Sequence, residues 1–154
     1  MDSGSVAGMR DVAMTEEAKQ PLFQLDREYA QLMIAHAEEE APNECCGLLA
    51  GQGGRIVKLY RARNAERSPV RYNVDPKELL AIYNEIDAQG WDLLGIYHSH
   101  THSEAYPSAT DVRLAAWPET LYFIVSLREP KRPAVRAYRI VGGVISEEEL
   151  AIVG

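Results

Sequence analysis

Three of the four histidines in this chain fall in one run, Gly95-Ile-Tyr-His-Ser-His-Thr-His-Ser-Glu-Ala-Tyr-Pro-Ser-Ala-Thr-Asp111. Imidazole is the commonest metal ligand among side chains. On an extended strand, side chains two apart point the same way, so His98 and His100 would share one face and could hold one ion. A third protein ligand must come from elsewhere. His102 qualifies if the strand continues, and Asp111 qualifies if the chain folds back after Pro107. Asp111 has the better support. Residues 102–108 are polar and contain Pro107, which stops the strand near His100, and Ser108 then starts a helix with Asp111 in its first turn. Two His and one Asp leave a fourth position open for water, which is the arrangement of a catalytic zinc. Ser108-x-x-Asp111 taken alone is a helix-capping pattern. Its place seven residues after His-x-His is what capping does not explain.

Hydrolysis by an activated water also requires a proton acceptor near the water. Glu44 is the candidate. It follows Pro42-Asn43 and leads directly into Cys45-Cys46-Gly-Leu-Leu-Ala-Gly51. This short apolar run reads as a buried strand, and a carboxylate entering a core strand needs a reason.

The elements that would carry these residues are legible as a mixture of helices and strands. Asp26 is placed to cap a helix over residues 27–40, with Tyr29, Leu32, Met33 and His36 on its inner face and Pro42 ending it. Residues 45–51, then Gly-Gln-Gly-Gly, then 55–64 read as a hairpin, and Arg71-Tyr-Asn-Val74 as a further short strand. The clearest helix starts at Asp75 as N-cap, with Pro76 at the first helical position and Glu78 completing a capping box. Leu79, Ile82, Tyr83 and Ile86 form its apolar face, and Gly90 stops it. Residues 92–100 form a strand running into the histidines, and 108–117 a short helix. Residues 120–127 and 134–141 form two strands, and Gly142-Gly143 a hairpin-like turn before a final short element. This pattern predicts one α/β (α+β) domain over residues 23–154, preceded by a flexible N-terminal tail over residues 1–22.

Charge and composition narrow the function. The chain has 154 residues and a net charge of −7, which argues against bulk nucleic-acid binding. A local exception is the basic segment Arg128, Lys131, Arg132, Arg136 and Arg139. The adjacent Cys45 and Cys46 form no disulfide framework and read as small buried hydrophobes, so a cytoplasmic protein is expected. No apolar run approaches the roughly 20 residues of a membrane span.

The pattern Glu44, His98-Ser-His100, seven residues, Ser108-x-x-Asp111 resembles the motif of the JAMM (MPN+) metalloproteases. Asn64-Ala-Glu-Arg-Ser-Pro69 and the late Arg136-Ala-Tyr-Arg-Ile-Val141 are similar to its small bacterial Mec-type branch. The resemblance implies a mixed, curved β-sheet flanked by helices, of cytidine-deaminase-like type. It also implies one Zn²⁺ per chain on His98, His100 and Asp111, Glu44 as the proton carrier, and Ser108 as donor to the oxyanion. The implied substrate is a ubiquitin-like sulfur-carrier protein with a C-terminal Gly-Gly, from which the enzyme removes cysteine or another conjugate. Neither nucleic acid nor membrane is an expected partner, and a homodimer is compatible with the family. The basic segment is expected to help hold an acidic carrier. Competing readings are a zinc hydrolase of small amides or other peptide conjugates, and a non-peptidase metalloprotein using His98, His100 and His102.

Overall fold

The computed structural model describes residues 22–154. The expected tail over residues 1–22 lies outside the described residues except for Leu22. In chain order the elements are β1 (Phe23–Asp26), α1 (Arg27–Glu40), β2 (Cys46–Gln52), β3 (Arg55–Ala62), α2 (Pro76–Ala88) and β4 (Asp92–His100). They continue with α3 (Ala109–Leu114), β5 (Leu121–Ser126), β6 (Ala134–Val141), β7 (Val144–Glu148) and β8 (Leu150–Val153).

Six strands form one mixed sheet in the order β3-β2-β4-β5-β6-β7. Only β4 and β5 pair in parallel, joined by the crossover that contains α3, and the other pairs are antiparallel. A separate parallel pair joins β1 to β8. This is the expected α+β domain.

Alternation along β4 divides its side chains between two layers. Tyr97 joins Met33 and Ala37 of α1 in the main core, with Phe123 and Val125 of β5. Ile96 lies on the other face, against Tyr122, Ile140 and residues of the α3 region. His98 and His100 continue that second face. Gly47, opposite Tyr97 in the ladder, must lack a side chain. A Cβ there would collide with the Tyr97 ring and come within 2.5 Å of the Tyr60 carbonyl oxygen. The ring that fills this space donates or accepts a 2.7 Å hydrogen bond between its hydroxyl and His36 Nδ1. Burial holds His36 down to about 4, with nearby Arg61 acting the same way. His36 is therefore a neutral core residue.

Several local expectations are revised. The inner face of α1 is Ala30, Met33, His36 and Ala37, while Leu32 is exposed. Asp26 is its N-cap by position, but its side chain caps nothing; its carboxylate pairs with Arg55 instead. Asp75 does cap α2, accepting from the Lys77 and Glu78 backbone N–H groups. Glu78 does not complete a capping box there. The Asp75 N–H already donates to the Arg63 carbonyl, so the Glu78 carboxylate turns to the Arg63 N–H at 2.6 Å. Tyr83 is exposed and Ile86 is the buried residue of that helix.

Residues 71–74 form no strand, and Val74 makes a single bridge to Asn64. The Asn64 side chain takes the Arg71 carbonyl and the Asn73 N–H, and the Asn73 carbonyl accepts from the Ala65 N–H. The helix expected over 108–117 is α3, ending at Leu114. Trp117 precedes Pro118, which disfavours helical backbone just before it. The freed Ala116 and Trp117 N–H groups donate to the Tyr122 hydroxyl.

Candidate metal centre

The end of β4 brings His98 and His100 onto one face, as their spacing predicts. Asp111 returns to them from the first turn of α3. Its Oδ2 lies 3.0 Å from His98 Nε2 and 3.0 Å from His100 Nε2, and the two Nε2 atoms are 3.3 Å apart. One donor atom from each residue falls within 4.8 Å of the others. Two imidazole nitrogens and a carboxylate oxygen converging in a buried spot match the donor types and number of a three-ligand metal site. The donor set therefore fits a divalent cation with three protein ligands.

The surrounding residues fix these ligands. His100 Nδ1 lies 2.8 Å from the Glu104 carbonyl oxygen. The carbonyl can only accept, so Nδ1 carries the proton and the Nε2 lone pair faces the cluster. The His98 ring stacks on Tyr72, with centroids 4.3 Å apart and planes at 18°. His98 Nδ1 is buried without a hydrogen-bond partner. Ser108 and Asp111 form a reciprocal cap, in which Ser108 Oγ accepts from the Asp111 N–H and Asp111 Oδ2 accepts from the Ser108 N–H. The cap thus holds the carboxylate toward the two histidines.

Electrostatics follow from burial and contact. Burial lowers the His98 pKa below its ordinary value despite the adjacent Asp111. For His100, burial also acts downward, but Asp111 and the Glu104 carbonyl outweigh it and the net shift is upward. Burial would raise Asp111, yet the adjacent His100 and His98 rings and the Ser108 N–H hold it far below the usual carboxylate range.

Glu44 stands beside this cluster at the mouth of β2. Cys46 and His98 are paired in register, and the Cys45 N–H donates to Ser99 Oγ at 2.8 Å. Ser99 thus joins two strands, which is a structural role. The Glu44 backbone is clamped on both sides, its N–H donating to the Ser68 carbonyl and its carbonyl accepting from Asn64 Nδ2. The residue is 4% exposed, and its buried Oε1 has no hydrogen-bond partner. Burial is the main cause that pushes its pKa up to about 8, opposed by His100 and reinforced by Asp111.

The other sequence candidates lie apart. His102 follows the end of β4, is exposed, and sits 3.0 Å from Thr101 Oγ1 rather than in the cluster. A site of three histidines is therefore not what this fold assembles. Cys45 and Cys46 are free and buried, and burial pushes both thiols up to about 12. They are poor thiolates, consistent with core residues.

Two supporting residues were not singled out from sequence. Tyr72 is the stacking partner of His98. Asn64 uses all of its hydrogen-bonding capacity on the Glu44 loop, with Oδ1 accepting from the Glu66 and Asn73 N–H groups and Nδ2 donating to the Glu44 and Arg71 carbonyls. The sequence signal for Asn64 was the run Asn64–Pro69, which carried the branch resemblance but assigned no role to the residue.

Among the described residues, no helix is long and apolar enough to cross a membrane. Comparison with known proteins agrees with the geometry. The chain is 45% identical over 123 residues to the CysO-cysteine peptidase of Mycobacterium tuberculosis, a match covering 79% of this chain and 84% of that protein. It is 39% identical over 101 residues to the desampylase of Haloferax volcanii, covering 61% and 73% respectively. The solution structure of a protein from Desulfitobacterium hafniense superposes with a TM-score of 0.76 at 36% identity, covering 84% of this chain and 92% of that one. Residues 26–141 match the profile of the prokaryotic homologs of the JAB domain, and with the His-His-Asp cluster in place at the end of β4, the chain belongs to that family.

Proposed function

We propose that this protein is a zinc-dependent peptidase acting in the cytoplasm. It hydrolyses the amide bond after the C-terminal Gly-Gly of a ubiquitin-like sulfur-carrier protein and releases cysteine or another conjugate. The observation that carries this reading is the convergence of His98, His100 and Asp111 beside a buried Glu44 carboxyl with an unpartnered oxygen. Similarity to a CysO-cysteine peptidase supports the substrate class.

In this reading His98 Nε2, His100 Nε2 and Asp111 Oδ2 hold the ion. Bound zinc supplies Lewis acidity and can lower the pKa of a bound water from 15.7 to about 7. Glu44, as a carboxylate, accepts a proton from the water that attacks the scissile carbonyl. It then delivers that proton to the leaving amine nitrogen as the C–N bond breaks. The products are the carrier ending in a Gly-Gly carboxylate and the free amino acid.

Ser108 has a second duty. Its Oγ spends one lone pair on the Asp111 N–H, which leaves the hydroxyl proton free. That proton donates to the oxyanion as it develops, a contribution typically worth about 10²–10³ in rate. The substrate tail suits the site because two glycines carry no side chains and can lie against backbone.

Intact-mass measurement tests the proposal. The zinc-loaded protein is incubated with a ubiquitin-like sulfur carrier bearing cysteine after Gly-Gly, with Glu44→Gln alongside. The expected result is loss of one cysteine residue's mass with the parent protein only. No loss with zinc bound would overturn the carrier reading and direct attention to the second one, cleavage of other conjugates, which similarity to a desampylase favours.

A further inference from the structure

Of the basic segment noted in the sequence, Arg136 and Arg139 lie on β6 and fall on its opposite faces. Arg136 and Tyr138 lie on the metal face, and Arg139 lies on the other by alternation. Arg128, Arg132 and Arg136 converge with Tyr106 and Tyr138 on one cleft of about 370 Å³. Glu104 and Glu129 also line it, yet among the described residues no carboxylate comes within 4.0 Å of the Arg128 or Arg132 guanidinium. Arg136 has only a long contact, 3.7 Å, to Glu147. Two guanidinium groups without a carboxylate partner and a third loosely held, grouped in a cleft, are suited to carboxylates, which they bind in a bidentate fork.

The cleft has a defined place relative to the metal centre. His98 pairs with Ile124, and Ile124 pairs with Arg136. The metal ligand and the arginine therefore stand in one row across the sheet, two strand spacings apart, or about 10 Å. The loop between them belongs to both sites. Its Glu104 carbonyl binds His100 Nδ1, and its Ala105 carbonyl accepts from the Tyr138 hydroxyl.

We propose that Arg128, Arg132 and Arg136 form a docking site for carboxylate side chains on the folded body of the protein substrate, beside the point where its flexible C-terminal tail enters the metal centre. The identity of that partner rests on the peptidase reading above. Two strand spacings are covered by about three extended residues at roughly 3.4 Å each. A body anchored on the arginines can thus place its tail at the metal with no rearrangement of the sheet. The charge pattern calls for such an anchor. A chain of net charge −7 repels an acidic partner at long range, and a local arginine cluster reverses the field where contact is needed.

Binding separates this proposal from the activity. Glu44→Gln protein, which retains the ligands, is titrated with the fluorescently labelled carrier–cysteine conjugate at low and raised salt. Arg132→Glu/Arg136→Glu on that background is expected to weaken binding by about tenfold or more at low salt and to flatten the salt dependence. Arg132→Gln/Arg136→Gln should fall between. Arg139→Glu, a charge reversal on the opposite face compared with the single reversal Arg136→Glu, should stay within about twofold. Unchanged affinity in both double variants, an equal loss in Arg139→Glu, or no binding by the Glu44→Gln parent would overturn the docking site. Cleavage by the unmutated protein is scored separately. Arginine-dependent binding without cleavage sinks the peptidase reading and leaves the site, whereas cleavage with arginine-independent binding does the reverse.

Discussion

Ser108 and Asp111 hold each other through two hydrogen bonds, Asp111 N–H to Ser108 Oγ at 3.0 Å and Ser108 N–H to Asp111 Oδ2 at 2.9 Å. The same Oδ2 is the atom that faces both histidines. The cap and the candidate metal cluster therefore share one carboxylate, because the cap orients Asp111 toward the two histidines.

Ser108→Ala separates the two duties. Loss of the side-chain cap is expected to cost roughly 1 kcal/mol of stability. Loss of the hydroxyl donor is expected to lower kcat by about 10²–10³. Thermal unfolding and steady-state kinetics on the same variant measure both. A stability loss with kcat intact would remove Ser108 from the reaction and leave it as a cap.

Metal content discriminates Asp111 from His102. Asp111→Ala should lose stoichiometric zinc after dialysis, because two imidazoles remain of three ligands. His102→Ala should retain it, since His102 lies outside the cluster. Elemental analysis decides the matter, and the opposite pattern would mean that the third ligand has been misassigned.

Glu44 makes a prediction about pH in the metal-free protein. Its carboxyl titrates near 4.5 when unperturbed and near 8 in the fold. Between those values the folded state binds more protons than the unfolded state, so this group lowers stability progressively as pH rises through the window. Metal-free Glu44→Gln should therefore melt above the metal-free parent at pH 8, with the gap closing toward pH 4.5. A gap independent of pH would show that burial does not hold the proton on Glu44. In the zinc-loaded protein the same variant should keep its metal and lose about 10²–10⁴ in kcat.

Asn64 tests whether the backbone of the base must be held. Asn64→Ala leaves several partners in a partly buried loop unpaired, and a loss of about 2–3 kcal/mol is expected. Because the Glu44 carbonyl is one of those partners, kcat should fall while zinc content is unchanged. Equal kcat in a folded, zinc-loaded variant would mean that the Ser68 contact alone positions Glu44.

Much of the site was readable before any fold was known. His98 and His100 share a face because strand alternation is a local property, and Ser108-x-x-Asp111 is a local cap. The α2 start at Asp75-Pro76 was legible for the same reason. Errors occurred where a distant group intervened. Glu78 left its expected capping box because the Arg63 carbonyl had already taken the Asp75 N–H. Residues 71–74 gave up a strand where the Asn64 amide took the Arg71 carbonyl and the Asn73 N–H. Leu32 and Tyr83 faced outward because apolar spacing marks a stripe, but neighbouring helices and strands choose which part of it is covered.

By itself, then, the sequence determined the candidate ligand types, their spacing and the elements that carry them, all of which depend on contacts a few residues apart. Tertiary structure decided that Asp111 rather than His102 completes the cluster, that Tyr72 backs His98, and that Glu44 is buried beside the ligands. It also sorted the arginines of the basic segment onto two faces. These outcomes depend on strand order and register, where residues far apart in the chain meet, and local backbone preferences carry no information about which distant partner will arrive.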